Sequence, residues 1–178
     1  MQPQWPAARL VVLDETGLNT NMTRLYGRAP RGTRCRCAAP RGHWQSATFI
    51  AARRGDRLCA PRLLDGPMDG AVFLADLRKV LAPELPEGDL VICDHLSSHK
   101  VAGVAEALAA CGAQIHCRPA DSPDLNPIEM AFAKLKAHLR QAAARTWRRL
   151  LRATATALDS FTPAHCLNFL RHANYATV

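Results

Sequence analysis

Leu90-Val91-Ile92-Cys93-Asp94 is a short apolar run that ends on a carboxylate, and the rest of the chain can be read outward from it. A run of this length suits a buried strand. It continues as His95-Leu96-Ser97-Ser98-His99-Lys100, and the stretch closes with Ser122-Pro123-Asp124-Leu125-Asn126-Pro127-Ile128-Glu129. Near the N-terminus Leu10-Val11-Val12-Leu13-Asp14 repeats the pattern. Two strands that each deliver an Asp at their C-terminal end, with a Glu just inside a helix, make an acidic cage. Such a cage suits Mg²⁺ or Mn²⁺, hard cations that prefer oxygen ligands.

Around these runs the chain divides into strands and then helices. Residues 9–14 read as a fully apolar, central strand, turned by Glu15-Thr16-Gly17. Residues 19–42, rich in Arg, Gly and Pro, read as a long loop with one short strand near 33–38. His43–Arg53 and Arg57–Leu64 read as strands joined by the turn Arg54-Gly55-Asp56. The spacing of Val72, Phe73, Leu77, Val80 and Leu81 predicts a helix over 69–81, stopped by Pro83. After the strand 90–94, Val101–Cys111 reads as a helix closed by Gly112, and Ala113–Cys117 as a strand parallel to 90–94. Residues 119–127 form a rigid loop. Pro127 suits the first position of a helix to about Ala144, with Ile128, Phe132, Leu135 and Leu139 on its buried stripe. Trp147–Ser160 and Pro163–Ala173 read as two more helices. The result is an α/β fold, a mixed five-stranded sheet flanked by helices. It matches the ribonuclease-H-like arrangement, whose first and fourth strands are neighbours, so that Asp14 and Asp94 end side by side.

With 178 residues, one domain spanning 1–178 is expected, and a 48% hydrophobic content excludes disorder. The net charge of +8 favours an anionic partner. Its distribution says more: Arg24–Arg62 holds ten arginines and one acid, and Lys134–Arg152 seven basic residues and no acid, while Leu63–Glu129 holds eleven of the fifteen acids. Basic flanks around an acidic centre suit a nuclease-type site, with carboxylates on metal and arginines on phosphates. An ordinary domain with an Arg-heavy surface would look the same by charge alone. The seven scattered cysteines form no zinc pattern and read as reduced thiols. Neither a signal peptide nor a membrane-length apolar run is visible, so a cytoplasmic location is expected, with no membrane partner.

Each acid has an ordinary structural explanation. With Asn126 as N-cap and Pro127 as first helical residue, Glu129 takes the capping-box position and opposes the helix dipole. Asp14 and Asp94 could close turns after strands. The case for metal is collective: three carboxylates in one place repel unless a cation compensates them. Two Mg²⁺ ~3.5–4 Å apart could then activate a water or 3′-hydroxyl and stabilise the leaving oxygen of a phosphodiester. Asp94, His95 and His99 suggest a rival two-His-one-carboxylate site, but the loop-like Leu96-Ser97-Ser98 argues against one shared face. Trp44, Trp147 and Phe132 could stack on bases, although core packing is the default for each.

Leu13-Asp14-Glu15-Thr16-Gly17, Asp94 to Lys100 and Ser122 to Glu129 resemble the three catalytic blocks of the insertion-sequence 630/Tc1-mariner DDE transposases. Thirty-four residues separate Asp94 from Glu129, as in that insertion-sequence group, and Met130-Ala131-Phe132-Ala133-Lys134-Leu135-Lys136 extends the third block. The resemblance runs from about Val11 to Tyr175. It implies a catalytic domain that cleaves and transfers DNA strands at transposon ends, with Asp14, Asp94 and Glu129 as catalytic residues and ligands of two Mg²⁺ (or Mn²⁺) ions. Arg31, Arg34, Arg36, Arg41, His99, Lys100, Lys134, Lys136 and Arg140 are the DNA-binding candidates. Partners implied are transposon-end and target DNA, a second copy in a homodimer, and a separate upstream helix-turn-helix polypeptide, in a bacterial, DNA-associated setting. The family's N-terminal helix-turn-helix region is not visible, and His95 and Ala120-Asp121 stand where the family usually has Asn and Pro-Tyr. The alternative is an inactive or truncated transposase-derived DNA-binding or assembly protein. An unrelated metal phosphohydrolase is a third reading.

Overall fold

A computed structural model of the chain describes residues 6–94, 101–117 and 126–175. Its strands are β1 (Leu10–Asn19), β2 (Ser46–Arg53), β3 (Leu58–Asp65), β4 (Leu90–Cys93) and β5 (Gln114–Cys117). The helices are α1 (Gly70–Asp76), α2 (Val104–Ala109), α3 (Pro127–Ala142), α4 (Trp147–Asp159) and α5 (Pro163–His172). The five strands form one mixed sheet in the order β3-β2-β1-β4-β5. β1, β2 and β3 are antiparallel neighbours, whereas β4 runs parallel to both β1 and β5. The first and fourth strands are adjacent, as expected from the sequence.

Strand alternation separates the core into two layers. Leu10, Val12 and Leu18 of β1 join Ile92 and face α3, whose Ile128, Ala131, Phe132, Leu135 and Leu139 are buried against them. Val11 and Leu13 join Val91 on the opposite face, against Phe73, Leu77 and Leu81 and against Leu108 of α2. Phe132 meets Phe49 of β2 edge to face, at 5.9 Å between ring centres. Trp147 packs beside this layer, and Trp44 is exposed.

The structure changes several sequence expectations. Glu15-Thr16-Gly17 is not a turn: β1 continues through it, paired with Ile50, Phe49 and Thr48 of β2. A ladder partner long enough to pair the whole segment overrides the weak turn signal of one glycine. No strand forms at 33–38; residues 20–45 are an irregular loop closed at its base by two hydrogen bonds between Thr20 and Gln45. β3 bulges, with Ala60 at φ 50° and the following Pro61 on the open edge of the sheet. The predicted helix 69–81 divides into α1, capped by Asp69 on the Val72 N–H, and a wider π turn over Leu77–Leu81. Val72 consequently faces solvent rather than the core. The helix expected from Val101 begins only at Val104, after a left-handed Gly103. Among the described residues no helix is long and apolar enough to cross a membrane.

Candidate active site

Asp14 sits in the middle of β1 rather than at its end, because β1 is longer than the sequence suggested. Its neighbour β4 is shorter. The parallel register pairs Leu10 with Leu90 and Val12 with Ile92, so two residues further on Asp94 emerges beside Asp14. Alternation puts Asp14 on the same face as Val12, toward α3. The first turn of α3 carries Glu129, whose side chain is exposed. The sheet register and the docking of one helix thus bring three carboxylates, far apart along the chain, to one end of one sheet face.

The charges register this proximity. Asp14 is only 4% exposed, and burial is the main cause that pushes its carboxyl up from 3.8 to about 7. The Glu15 backbone N–H opposes the rise, and repulsion from Asp94, Glu15 and Glu129 adds to it. Among the described residues no three His, Cys, Asp or Glu side chains stand close enough to share one ion. Three carboxylates repel one another, and the exposed Glu129 is free to turn about its side-chain bonds.

Asn126 is a site residue that the sequence disguised. It occupies the N-cap position of α3, yet its side chain makes no capping bond, and no capping box forms with Glu129. Its Nδ2 instead donates to Asp14 Oδ2 at 2.5 Å, while the Glu15 N–H donates to Asp14 Oδ1 at 2.8 Å. The Oδ1 of Asn126 is buried without a hydrogen-bond partner among the described residues. Asn before a helix-opening Pro signals a cap by local rules, and nothing local distinguishes a cap from an amide aimed at a distant strand.

The DNA-binding candidates separate into groups. Arg31, Arg34, Arg36 and Arg41 are all exposed on the long loop. Lys136 and Arg140 of α3 line an open cleft of about 400 Å³ against Gly17, Asn19 and Pro40. A second cleft of about 540 Å³ lies between Arg24 and Tyr26 of the loop and His138 and Arg140 of α3. Arg145 holds the start of the loop through the carbonyls of Thr20 and Met22. Lys134, half-buried at the edge of that second cleft, is held by neighbours: its ammonium donates to the Ser160 carbonyl at 2.8 Å, lies 2.9 Å from His165 Nδ1, and stands over the Phe161 ring. His99 and Lys100 lie outside the described residues, as do His95 of the rival site and the Ala120-Asp121 pair.

This strand order, with acids on two adjacent central strands and a third on the helix that covers them, defines a ribonuclease-H-like fold. The chain belongs to the DDE superfamily endonucleases, whose family model matches residues 9–151. Its fold is similar to the Mos1 transposase paired-end complex with left transposon end, at a TM-score of 0.72 and 15% identity, over 94% of this chain and 52% of that one. The Mos1 mariner paired-end complex with Mn matches at 0.68 and 18% identity, over 94% and 53%. The isolated catalytic domain of Mos1 mariner transposase matches at 0.67 and 14% identity, over 94% and 78%. The chain therefore spans about half the length of the Mos1 chains in the paired-end complexes. No curated protein matches it in sequence.

Proposed function

We propose that the chain is the catalytic domain of a DDE transposase, which cleaves and rejoins DNA strands at transposon ends using two Mg²⁺ or Mn²⁺ ions held by Asp14, Asp94 and Glu129. The observation that carries this reading is the parallel register that sets Asp94 beside Asp14, with Glu129 on the first turn of the helix that covers them, in a chain of the DDE endonuclease family. The donor set fits a hard divalent cation. It offers a buried carboxylate pushed up to about 7 and two further carboxylates whose charge reaches it.

When bound, the ions lower the pKa of a water or 3′-hydroxyl and neutralise charge on the leaving oxygen, so no side-chain base is needed. The protein's own residues prepare for that chemistry. The Glu15 N–H and the Asn126 amide each donate to one oxygen of Asp14, which fixes the carboxylate plane and leaves a lone pair on each oxygen. Glu129 stands in the first turn of α3, at the positive end of the helix dipole. DNA phosphates would lie along the cleft of Lys136 and Arg140 and under Arg31, Arg34, Arg36 and Arg41. Gly17 of that cleft is three residues from Asp14 on β1, ~10 Å at strand rise. Of the other DNA-binding candidates, His99 and Lys100 remain in the proposal on sequence alone, and Lys134 is left out because its ammonium is already held. Recognition of particular ends belongs to a helix-turn-helix segment of the intact protein or of a separate polypeptide, and a homodimer would bring two ends together.

Supercoiled plasmid incubated with the protein and Mg²⁺ or Mn²⁺ tests the activity. The expected outcome is nicking that EDTA suppresses and that Asp94→Ala lowers at least ~100-fold at unchanged melting temperature. Salt-sensitive DNA binding without cleavage would instead mark a non-catalytic binding or assembly protein. Hydrolysis of small phosphate esters but not of DNA would mark a phosphohydrolase.

A further inference from the structure

Asn126 combines three features that neither its position nor helix capping explains. It is 5% exposed, its amide nitrogen is directed to Asp14 rather than to the α3 backbone, and its carbonyl oxygen is buried with no donor among the described residues. A buried polar atom without a partner is costly, because it loses its hydrogen bonds to water and gains none. Its persistence beside a carboxylate cluster therefore calls for a donor that arrives from outside the chain. The amide nitrogen lies on Asp14 Oδ2, which turns the amide oxygen away from the carboxylate. Asn126 Oδ1 is then an acceptor fixed within one amide's width of the Asp14 carboxylate. Magnesium and manganese keep several bound waters, and metal-bound water is a strong hydrogen-bond donor.

We infer that Asn126 is a positioning residue of the metal site: its amide nitrogen locks the Asp14 carboxylate, and its Oδ1 accepts a hydrogen bond from a water on the divalent ion. The inference rests on the proposed metal site and deepens it. It predicts that Asn126 sets metal affinity through Asp14 without itself being a ligand. The helix-capping explanation predicts the opposite pattern, since Ser caps a helix as well as Asn but is too short to replace the amide at Asp14.

The test is Mn²⁺ binding to the metal-free full chain, followed by calorimetry and by the Mn²⁺ electron paramagnetic resonance signal, with melting temperature recorded without metal. Asn126→Ala and Asn126→Ser are both expected to weaken Mn²⁺ binding by about 10–100-fold, the range typical when a partner of a metal ligand is removed. The Ser variant is expected to stay folded, with a cooperative metal-free melt, without recovering affinity. Full recovery of affinity in Asn126→Ser, or unchanged affinity in Asn126→Ala, overturns the inference. Asp94→Asn in the same assay separates the two levels. If it loses binding while Asn126→Ala does not, only the role of Asn126 fails. If the wild type binds no better than Asp94→Asn, the metal site itself fails, and the inference with it.

Discussion

Asp14 is held under two opposing demands. Packing of β1 under α3 buries it, which disfavours charge, while a cation site needs it ionised. A carboxyl that titrates near 3.8 when unfolded and at about 7 when folded adds no penalty at acid pH. As pH rises through that window the folded state must give up a proton it holds more tightly, so stability falls until about pH 7 and then levels off. The full difference, roughly three pH units, corresponds to at most on the order of 4 kcal/mol. Metal-free protein is therefore expected to melt lower at pH 8 than at pH 5.5, and Asp14→Asn should flatten most of that slope. Added Mg²⁺ should raise the melting temperature more at pH 8 than at pH 5.5, since at the lower pH it must displace a proton. A wild-type profile that matches Asp14→Asn in scanning calorimetry would remove the burial argument. From sequence, Asp14 was legible as a ligand candidate because it closes an apolar run. Its unusual proton affinity was not, because that depends on a helix 112 residues away covering it.

At the scale of elements, α3 does most to shape the site, and its two ends behave differently. Its N-terminus presents Asn126 and Glu129 to β1, and its C-terminus closes on Ala143, at φ 47° and ψ 45°, whose N–H donates to the Leu139 carbonyl. A left-handed residue at that point favours glycine, so Ala143→Gly is expected to stabilise the protein by about 0.5–1 kcal/mol in urea denaturation. Midway, Lys134 and Lys136 look equivalent in sequence but sit on different faces. Lys134 ties α3 to the α4–α5 corner, and burial lowers its pKa. Lys136 lines the cleft. Lys134→Ala should lower the melting temperature by a few degrees with little change in DNA affinity, and Lys136→Ala the reverse. Fluorescence anisotropy with a labelled duplex, run beside a thermal melt, distinguishes them. The buried stripe of α3 was readable because 3.6-residue spacing is local. Which lysine on its polar side meets another helix is set by the path of α4 and α5, and spacing is silent on that.

Across the whole molecule the charge pattern becomes a spatial one: acids on β1, after β4 and on the first turn of α3, with an arginine-rich loop and the basic side of α3 beyond them. Replacing Arg31, Arg34, Arg36 and Arg41 together by Gln is expected to flatten the plot of log affinity against log salt by roughly 3–4 units on duplex DNA. Affinity for Mn²⁺ should stay the same, because those side chains are exposed on the loop and carry no metal-ligating group. An unchanged slope would mean that the loop does not meet phosphate. By itself, the sequence determined most of the strands and helices, the parallel pairing of the fourth and fifth strands and the stripe that buries α3, because apolar periodicity and the handedness of a β-α-β unit are properties of short segments. The neighbouring of the first and fourth strands was expected from the likeness to the ribonuclease-H-like arrangement, and motif spacing nominated the three acids. Only the tertiary structure decided that β1 runs on through Gly17, that Asn126 turns from capping to Asp14, and that Lys134 is tied to Ser160 and His165. Each of those depends on which distant backbone or side chain arrives alongside, and pairing and burial energies of that kind outweigh local propensity once the partner is in place.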